Sequence, residues 1–320
     1  MTNSNHKFEV LVLGNIRSEG LDVLAEFANV KKLPEPVTTS DILECVDGMD
    51  AILHKVGKVG SEVIDRQKKL RIIARHGVGL DDLDLPVIEA AGIPVSTTLT
   101  ANTNAVAEAT IGLALSLLRH LNSGEAMIKR ERKWSREALM GQEIRNSTVG
   151  IIGFGRIGRL VAQYYAVFGA NIIVYDSYPD AIKDCGYETV SLDDLLARAD
   201  IVSLHCPLMP ETKNLINAEC LSTMKDSSIL VNTSRGGLVD KNALATAAQS
   251  GEIRGAAIDV FDVEPPDFND ALFACDNILT TPHIAAMTVQ AQTAMAVGAA
   301  EEIRRVLIEN AKPSNNVFGG

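Results

Sequence analysis

The sequence predicts an α/β protein made of two doubly wound domains, and three observations carry that prediction. Short apolar runs alternate with amphipathic helical stretches through the first hundred residues. The same alternation resumes at Thr148 and continues to about residue 280. At the start of the second series stands TVGIIGFGRIG (148–158), where an apolar segment feeds straight into a glycine-rich turn and then a helical pattern.

Composition bounds the partners. At 320 residues there is room for two domains of ordinary size. With 46% hydrophobic and 22% charged residues the chain has the balance of a globular protein. The apolar run 111–118 stops at Arg119-His120, too short for a membrane span, so no membrane partner is expected. A net charge of −11 argues against a nucleic-acid or anionic-membrane surface. An anionic small-molecule substrate would therefore need a local concentration of positive charge. The N-terminus, MTNSNHKFEVLVLGN, lacks the basic and then apolar layout of a secretion signal. Cys45, Cys185, Cys206, Cys220 and Cys275 are odd in number and never paired as CxxC. Reduced thiols, a cytoplasmic location and no metal site are the expectation.

The elements follow in order. Strands are expected at 9–13, 51–53, 72–75 and 95–97, with helices at 18–27, 40–46, 61–67 and 85–91 between them. A long helix begins near Asn102 and runs through Ala105, Val106, Ala109, Ile111, Leu115 and Leu118. The charged stretch 122–146, with Trp134, reads as an arm or subunit contact, Trp134 itself as packing. Further strands are expected at 149–153, 171–175, 201–204, 228–232, 256–259 and 277–280. A last helix at 289–307 leads to a polar tail, 312–320. The expected layout is a cofactor domain (100–288) inserted in a substrate domain (1–99 and 289–320), with the chemistry in the cleft between them.

The glycine run has a physical reading. Gly153 permits the turn, Gly155 lets the backbone approach a pyrophosphate, and Gly158 lets the helix pack against the strand. Phosphates would then meet the unpaired N–H groups of the helix N-terminus, at Arg156 and Ile157. Asp176 ends the next strand, 18 residues beyond Gly158, where a carboxylate binds the adenosine ribose diol. That carboxylate would repel a 2′-phosphate, and Ser177-Tyr178-Pro179 offer no arginine to neutralise one. The expected cofactor is NAD rather than NADP.

Three more stretches carry chemistry, each just after an expected strand: Asn232 to Asp240, Ala257 to Pro265 and Thr280 to Ala285. They place Arg235, Glu264 and His283 beyond the carboxyl ends of strands, where open α/β sheets bind ligands. His283 titrates near neutrality and can give or take a proton. Glu264 could orient its imidazole and favour the charged form. Arg235 offers a planar fork matched to a carboxylate. His205 reads as shaping the cofactor pocket or core, and His6 and His120 as structural or solvated.

These and further motifs closely resemble the D-isomer-specific 2-hydroxyacid dehydrogenases. They include Gly77-Val78-Gly79-Leu80-Asp81, Ala101 to Glu108, the glycine run, His205-Cys206-Pro207-Leu208, Ser234-Arg235-Gly236, Asp259-Val260-Phe261, Glu264-Pro265 and Pro282-His283. Within that family the chain is most similar to the phosphoglycerate and hydroxypyruvate dehydrogenase branch. The resemblance implies a Rossmann NAD-binding domain inserted in a flavodoxin-like substrate domain, and a homodimer formed through the long helix and the arm. It implies Arg235, Glu264 and His283 as catalytic residues acting on a small D-2-hydroxy acid or its 2-oxo acid. Cofactor contacts are implied at Val78, Val106, Gly153, Gly155, Arg156, Ile157, Gly158, Asp176, Cys206, Pro207, Thr212, Thr233, Ser234, Asp259 and Ala285. Substrate contacts are implied at Arg235, at the backbone of Lys55, Val56 and Gly57, and at Gly79. The branch often carries Arg-Ser where this chain has His54-Lys55, so Lys55 is the candidate for pairing a phosphate or sulfonate tail. A corepressor that senses NAD on the same fold, and a formate dehydrogenase, are the rival readings. The latter has a glutamine where this chain has Glu264.

Overall fold

The computed structural model describes residues 7–319, and its first strand, β1 (Phe8–Leu13), is the apolar run FEVLVL with its last four residues buried. His6 lies outside the described residues. There follow α1 (Ser18–Ala25), β2 (Ala28–Leu33), α2 (Thr39–Leu43), β3 (Ala51–His54), α3 (Ser61–Arg66), β4 (Ile72–Arg75), α4 (Leu85–Ala90) and β5 (Val95–Thr97). Helix starts are written locally: Thr38 and Asp41 form a reciprocal cap on α2, and Asp84 caps α4 ahead of Pro86. All strand pairings are parallel, in the order β2-β1-β3-β4-β5.

Parallel strands are covered on both faces, which is why they read as continuous apolar runs. Leu11 and Leu13 of β1 pack with Ile42, Val63 and Ile88 from α2, α3 and α4. Val10 and Val12 face the other way, onto Leu24 of α1 and onto Ala299, Ala300 and Ile303 near the chain's end. Each large aliphatic side chain buried this way contributes about 1.5–3 kcal/mol relative to exposure.

The second unit begins with α5 (Thr103–Leu118) and α6 (Leu121–Lys129). It continues through β6 (Thr148–Ile152), α7 (Arg156–Val167), β7 (Asn171–Tyr175), β8 (Glu188–Thr189), α8 (Leu192–Arg198), β9 (Ile201–Leu204) and α9 (Ala218–Thr223). It closes with β10 (Ile229–Asn232), α10 (Lys241–Ser250), β11 (Gly255–Ile258) and β12 (Ile278–Thr280). Its seven parallel strands run β12-β11-β10-β9-β6-β7-β8, so the order reverses between β6 and β9. The final helix, α11 (Val289–Leu307), belongs to the first unit. That unit takes in residues up to Asn102 together with those from Thr288 onward, and the second is Thr103–Met287.

Three features differ from expectation. β2 (ANVKKL) is an edge strand whose Lys31 and Lys32 face solvent, so it lacks the apolar run that marks the central strands. β8 is two exposed residues at the opposite edge of the other sheet. The tail is tied down rather than merely polar: Val317 N–H donates to Val95 C=O at 2.8 Å, and Val317 and Phe318 pack onto the first unit's core.

Candidate active site

The three glycines of the turn have separate jobs. Gly153 holds φ +88°, and a Cβ there would stand 2.6 Å from the Cys206 nitrogen. The turn after β6 and the loop after β9 therefore touch backbone to backbone at the point where strand order reverses. A Cβ on Gly158 would sit 2.1 Å from the Gly153 carbonyl oxygen, so α7 can lie this close to the turn only without a side chain there. Gly155, the N-cap of α7, is different: a Cβ would meet nothing within 4 Å. That open space lies before the first N–H groups of the helix, at Arg156, Ile157 and Gly158, which have no intrahelical acceptor. It is a cradle for an anion that a methyl group would fill.

Asp176 closes β7 and is fixed in place. Its carboxylate accepts from Phe154 N–H at 2.8 Å and from Tyr178 N–H at 3.0 Å, leaving further lone pairs for a diol. Burial, with the Asp176 charge adding, pushes the Cys206 thiol up to about 11, so it is a neutral wall. Thr212 Oγ1 donates to Pro207 C=O and accepts from Met209 N–H, both at 2.8 Å, which shapes the loop after β9. Thr233 is buried against Thr110 of α5, their hydroxyls 3.0 Å apart, and Val106 is buried one turn earlier on α5. Burial pushes His205 down to about 3, and its Nε2 lies 2.8 Å from Ser203 Oγ. These residues fit a dinucleotide with an unphosphorylated ribose.

Arg235 is presented by a clamp. Asn232, buried at the end of β10, donates from Nδ2 to Arg235 C=O at 2.8 Å and accepts from Ser234 N–H at 3.0 Å. Ser234 Oγ donates to Leu204 C=O at 2.7 Å, anchoring the turn to β9. A Cβ on Gly236 would come within 2.1 Å of the Phe261 carbonyl carbon, so this turn and the loop after β11 abut. Phe261 N–H in turn donates to Glu264 Oε1 at 3.0 Å. The other oxygen, Oε2, lies 2.7 Å from His283 Nδ1.

His283 sits at φ +52° in the loop after β12, and Asp259 explains how it stays there. The fully buried Asp259 carboxylate accepts from Thr281 Oγ1, Ile284 N–H and Ala285 N–H, and its carbonyl accepts from His283 N–H at 2.8 Å. Sequence reasoning gave Asp259 a cofactor role alone; the structure adds that of a loop clamp. It also missed Asn232, although a polar residue closing the apolar run ILV was a usable signal.

The electrostatics agree with the geometry. The Glu264 hydrogen bond raises the His283 pKa above its usual 6.5, with burial and the Arg235 charge opposing. Burial would raise Glu264, but His283, Phe261 N–H and Arg235 together hold its carboxyl below the usual range. Each of the two thus feels the Arg235 charge. Their side chains are 49% and 37% exposed, so solvent screens the pair and its strength is modest.

Of the residues implied as substrate contacts, Lys55, Val56, Gly57 and Gly79 stand in the first unit, as does Val78, and the first two need correction. The Lys55 and Val56 N–H groups both donate to Leu13 C=O, at 3.0 and 3.4 Å, so they are not free for a carboxylate. Gly57, at φ +95°, and Gly79 keep N–H groups without a partner among the described residues. Nor is the Lys55 ammonium free for a ligand's tail: it donates to Glu35 Oε1 and Asn15 C=O, each at 2.8 Å. Trp134, expected to pack, is 79% exposed. His120 is structural, its Nε2 accepting from Arg254 at 3.0 Å.

The fold and site of the second unit define a dinucleotide-binding domain with a carboxylate–imidazole pair at the carboxyl edge of its sheet. Residues 111–285 match the family model described as D-isomer specific 2-hydroxyacid dehydrogenase, NAD binding domain. The chain is 36% identical over 305 residues to a hydroxypyruvate reductase of Thermotoga maritima, covering 94% of this chain and 99% of that one. It is 39% identical over 315 residues to a D-3-phosphoglycerate dehydrogenase of Mycobacterium tuberculosis, covering 97% of this chain but only 59% of that protein. It thus spans about three fifths of that longer relative. Among solved structures, the TT0316 protein from Thermus thermophilus matches with a TM-score of 0.91 at 36% identity, covering 97% and 100% of the two chains. A glyoxylate reductase from Paecilomyes thermophila matches with a TM-score of 0.87 at 30% identity, covering 97% and 98%. The chain belongs to the D-isomer-specific 2-hydroxyacid dehydrogenases, and its cofactor is NAD.

Proposed function

We propose that this chain is an NAD-dependent dehydrogenase that interconverts a small D-2-hydroxy acid and its 2-oxo acid. The observation that carries the proposal is the 2.7 Å contact between His283 Nδ1 and Glu264 Oε2, with the Arg235 charge acting on both. The names of the relatives support it: a phosphoglycerate dehydrogenase, a hydroxypyruvate reductase and a glyoxylate reductase.

When bound, NADH supplies the hydride for the substrate carbonyl carbon. The protein manages charge and orientation. With Nδ1 engaged by Glu264, the imidazolium of His283 presents Nε2–H to the oxygen on which negative charge develops, and gives up that proton. In the oxidative direction neutral His283 takes it back. Glu264 keeps the ring oriented and favours its protonated form. Arg235 holds the substrate carboxylate with two parallel hydrogen bonds and polarises the adjacent carbonyl. A positioned acid–base contributes about 10²- to 10⁴-fold. His283→Ala should therefore lower kcat by about two decades or more while NADH affinity stays near that of the wild type. Normal turnover in that variant would remove the mechanism, and no turnover of any 2-oxo acid by the wild type would favour the corepressor reading.

The working form proposed is a homodimer. None of the nine residues of α6 is buried, and Leu121, Ile128, Trp134 and Met140 all stand exposed on α6 and the arm that follows. A second copy of the chain would cover them. Sedimentation should give about twice the monomer mass of 34.3 kDa, and a monomer at micromolar concentration would contradict this. A cytoplasmic location goes with the reading, since five free cysteines suit a reducing compartment.

A further inference from the structure

The second unit holds a cavity that neither the implied cofactor contacts nor the acid–base residues use. It measures about 270 Å³ and opens among the turn after β10, the start of α10, the loop after β11 and the Ala271–Ala274 turn. Its wall is apolar: Leu244, Ile258, Val260 and Leu272 are buried there, and the Phe261 and Phe273 rings stand 5.7 Å apart. None of the residues implied as cofactor contacts lines it, nor do Arg235, Glu264 and His283. A cavity of about 150 Å³ with such a lining holds benzene, so this one takes a single ring with a short side chain.

The rim sets the charge of the ligand. Lys241, Asp262, Asp267 and Asp270 all line the cavity, three carboxylates against one ammonium. Lys241 is engaged by Asp270, and the charges of Asp262 and Asp267 also act on it, so its pKa is held above the usual range. Asp267 accepts from Asn269 N–H at 2.9 Å, and Asp270 from Leu272 N–H at 3.2 Å. The Asp262 carboxylate is exposed and has no hydrogen bond among the described residues. A cation is therefore favoured at this rim and an anion repelled. The wall is also shared with the loops that carry Arg235 and Glu264. Gly236 and Phe261, both lining the cavity, abut each other, and Phe261 N–H donates to Glu264 Oε1 at 3.0 Å.

We propose that this cavity is a regulatory site for a small monocationic amine with a single-ring body. The ring packs against Phe261 and Phe273, and the ammonium meets the Asp262 carboxylate. A positive charge lodged against the loop that carries Glu264 disfavours the His283 imidazolium, the form that gives up the proton in reduction. Binding stands by itself; only the effect on turnover rests on the dehydrogenase reading above.

The test titrates the full chain with N,N-dimethylbenzylamine, a tertiary amine that cannot condense with a 2-oxo acid, and with benzyl methyl ether, a neutral body of similar size. Ligand-observed NMR should give a Kd of about 1 mM or below for the amine. The ether should bind at least about fivefold more weakly. Asp262→Lys should weaken the amine at least about tenfold and Asp262→Asn about threefold, with the ether within about twofold of the wild type in both. Saturating amine should lower kcat/KM for hydroxypyruvate at least about twofold in the wild type and leave it unmoved in Asp262→Lys. Equal affinity for amine and ether would overturn the site, as would amine affinity unmoved in both variants. The wild-type comparison decides this even if a variant fails to fold. Amine bound without effect on kcat/KM would overturn the regulatory role. If the wild type reduces no 2-oxo acid, the dehydrogenase reading fails, while the amine-to-ether comparison still decides the site.

Discussion

Gly155→Ala separates cofactor binding from folding more cleanly than any other change in the glycine turn. The backbone at Gly155 is extended, with φ −74° and ψ −160°, which alanine adopts freely, and a Cβ would meet nothing within 4 Å. Stability should therefore stay within about 0.5 kcal/mol of the wild type, with a small gain from the stiffer unfolded chain. The new methyl group instead occupies the space before the N–H groups that open α7. Losing the equivalent of one charge-assisted hydrogen bond there costs about 1.5–3 kcal/mol. That is about a ten- to hundredfold rise in the Kd for NADH. Gly158→Ala is the contrast, because its Cβ would be driven to 2.1 Å from the Gly153 carbonyl oxygen. Overpacking of this kind costs about 1–3 kcal/mol or more in stability. NADH fluorescence titration and thermal melts of both variants check the pair. A Gly155→Ala protein that binds NADH within twofold of the wild type would refute the assignment of this turn to the cofactor.

Glu264→Gln should move the alkaline limb of the reductive pH profile to lower pH. Reduction needs the His283 imidazolium and is lost as pH rises through its pKa, which Glu264 holds above 6.5. An unmoved limb in a kcat/KM profile would contradict this. In stability terms, the raised His283 contributes fully below 6.5 and fades as pH climbs through its folded pKa. The lowered Glu264 contributes fully above 4.5 and fades as pH falls through its own, so the pair helps most between those values. Tyr165→Phe should stabilise the second unit, because the Tyr165 hydroxyl is buried without a hydrogen-bond partner among the described residues. Removing it should gain about 1 kcal/mol, or about 2–4 °C in Tm. A drop in Tm would contradict that.

What could be read from the sequence was what periodicity and turn chemistry record. The central strands are buried on both faces, so their apolar runs announced themselves, and α11 was bounded by its own 3.6-residue pattern. β2 escaped because an edge strand needs only one covered side, and its lysines broke the run. Arg235, Glu264 and His283 were visible because each follows a recognisable strand. The clamps that aim them, Asn232 and Asp259, act through contacts 2 to 26 residues away in the chain and on neighbouring strands. Lys55 was misjudged for the same reason: its partner Glu35 lies 20 residues off, across the sheet, where no local pattern points. Single residues disclose their chemistry, whereas whether that chemistry is already spent depends on tertiary neighbours.

The most direct measurement follows one hydrogen. Hydroxypyruvate would be mixed with the protein and NADH deuterated at C4 on the transferred face, and the product examined by mass spectrometry and chiral separation. The account predicts D-glycerate with deuterium at C2, formed by the wild type and lost in Arg235→Gln. Glycerate without deuterium, the L-enantiomer, or undiminished product from the arginine variant would contradict it.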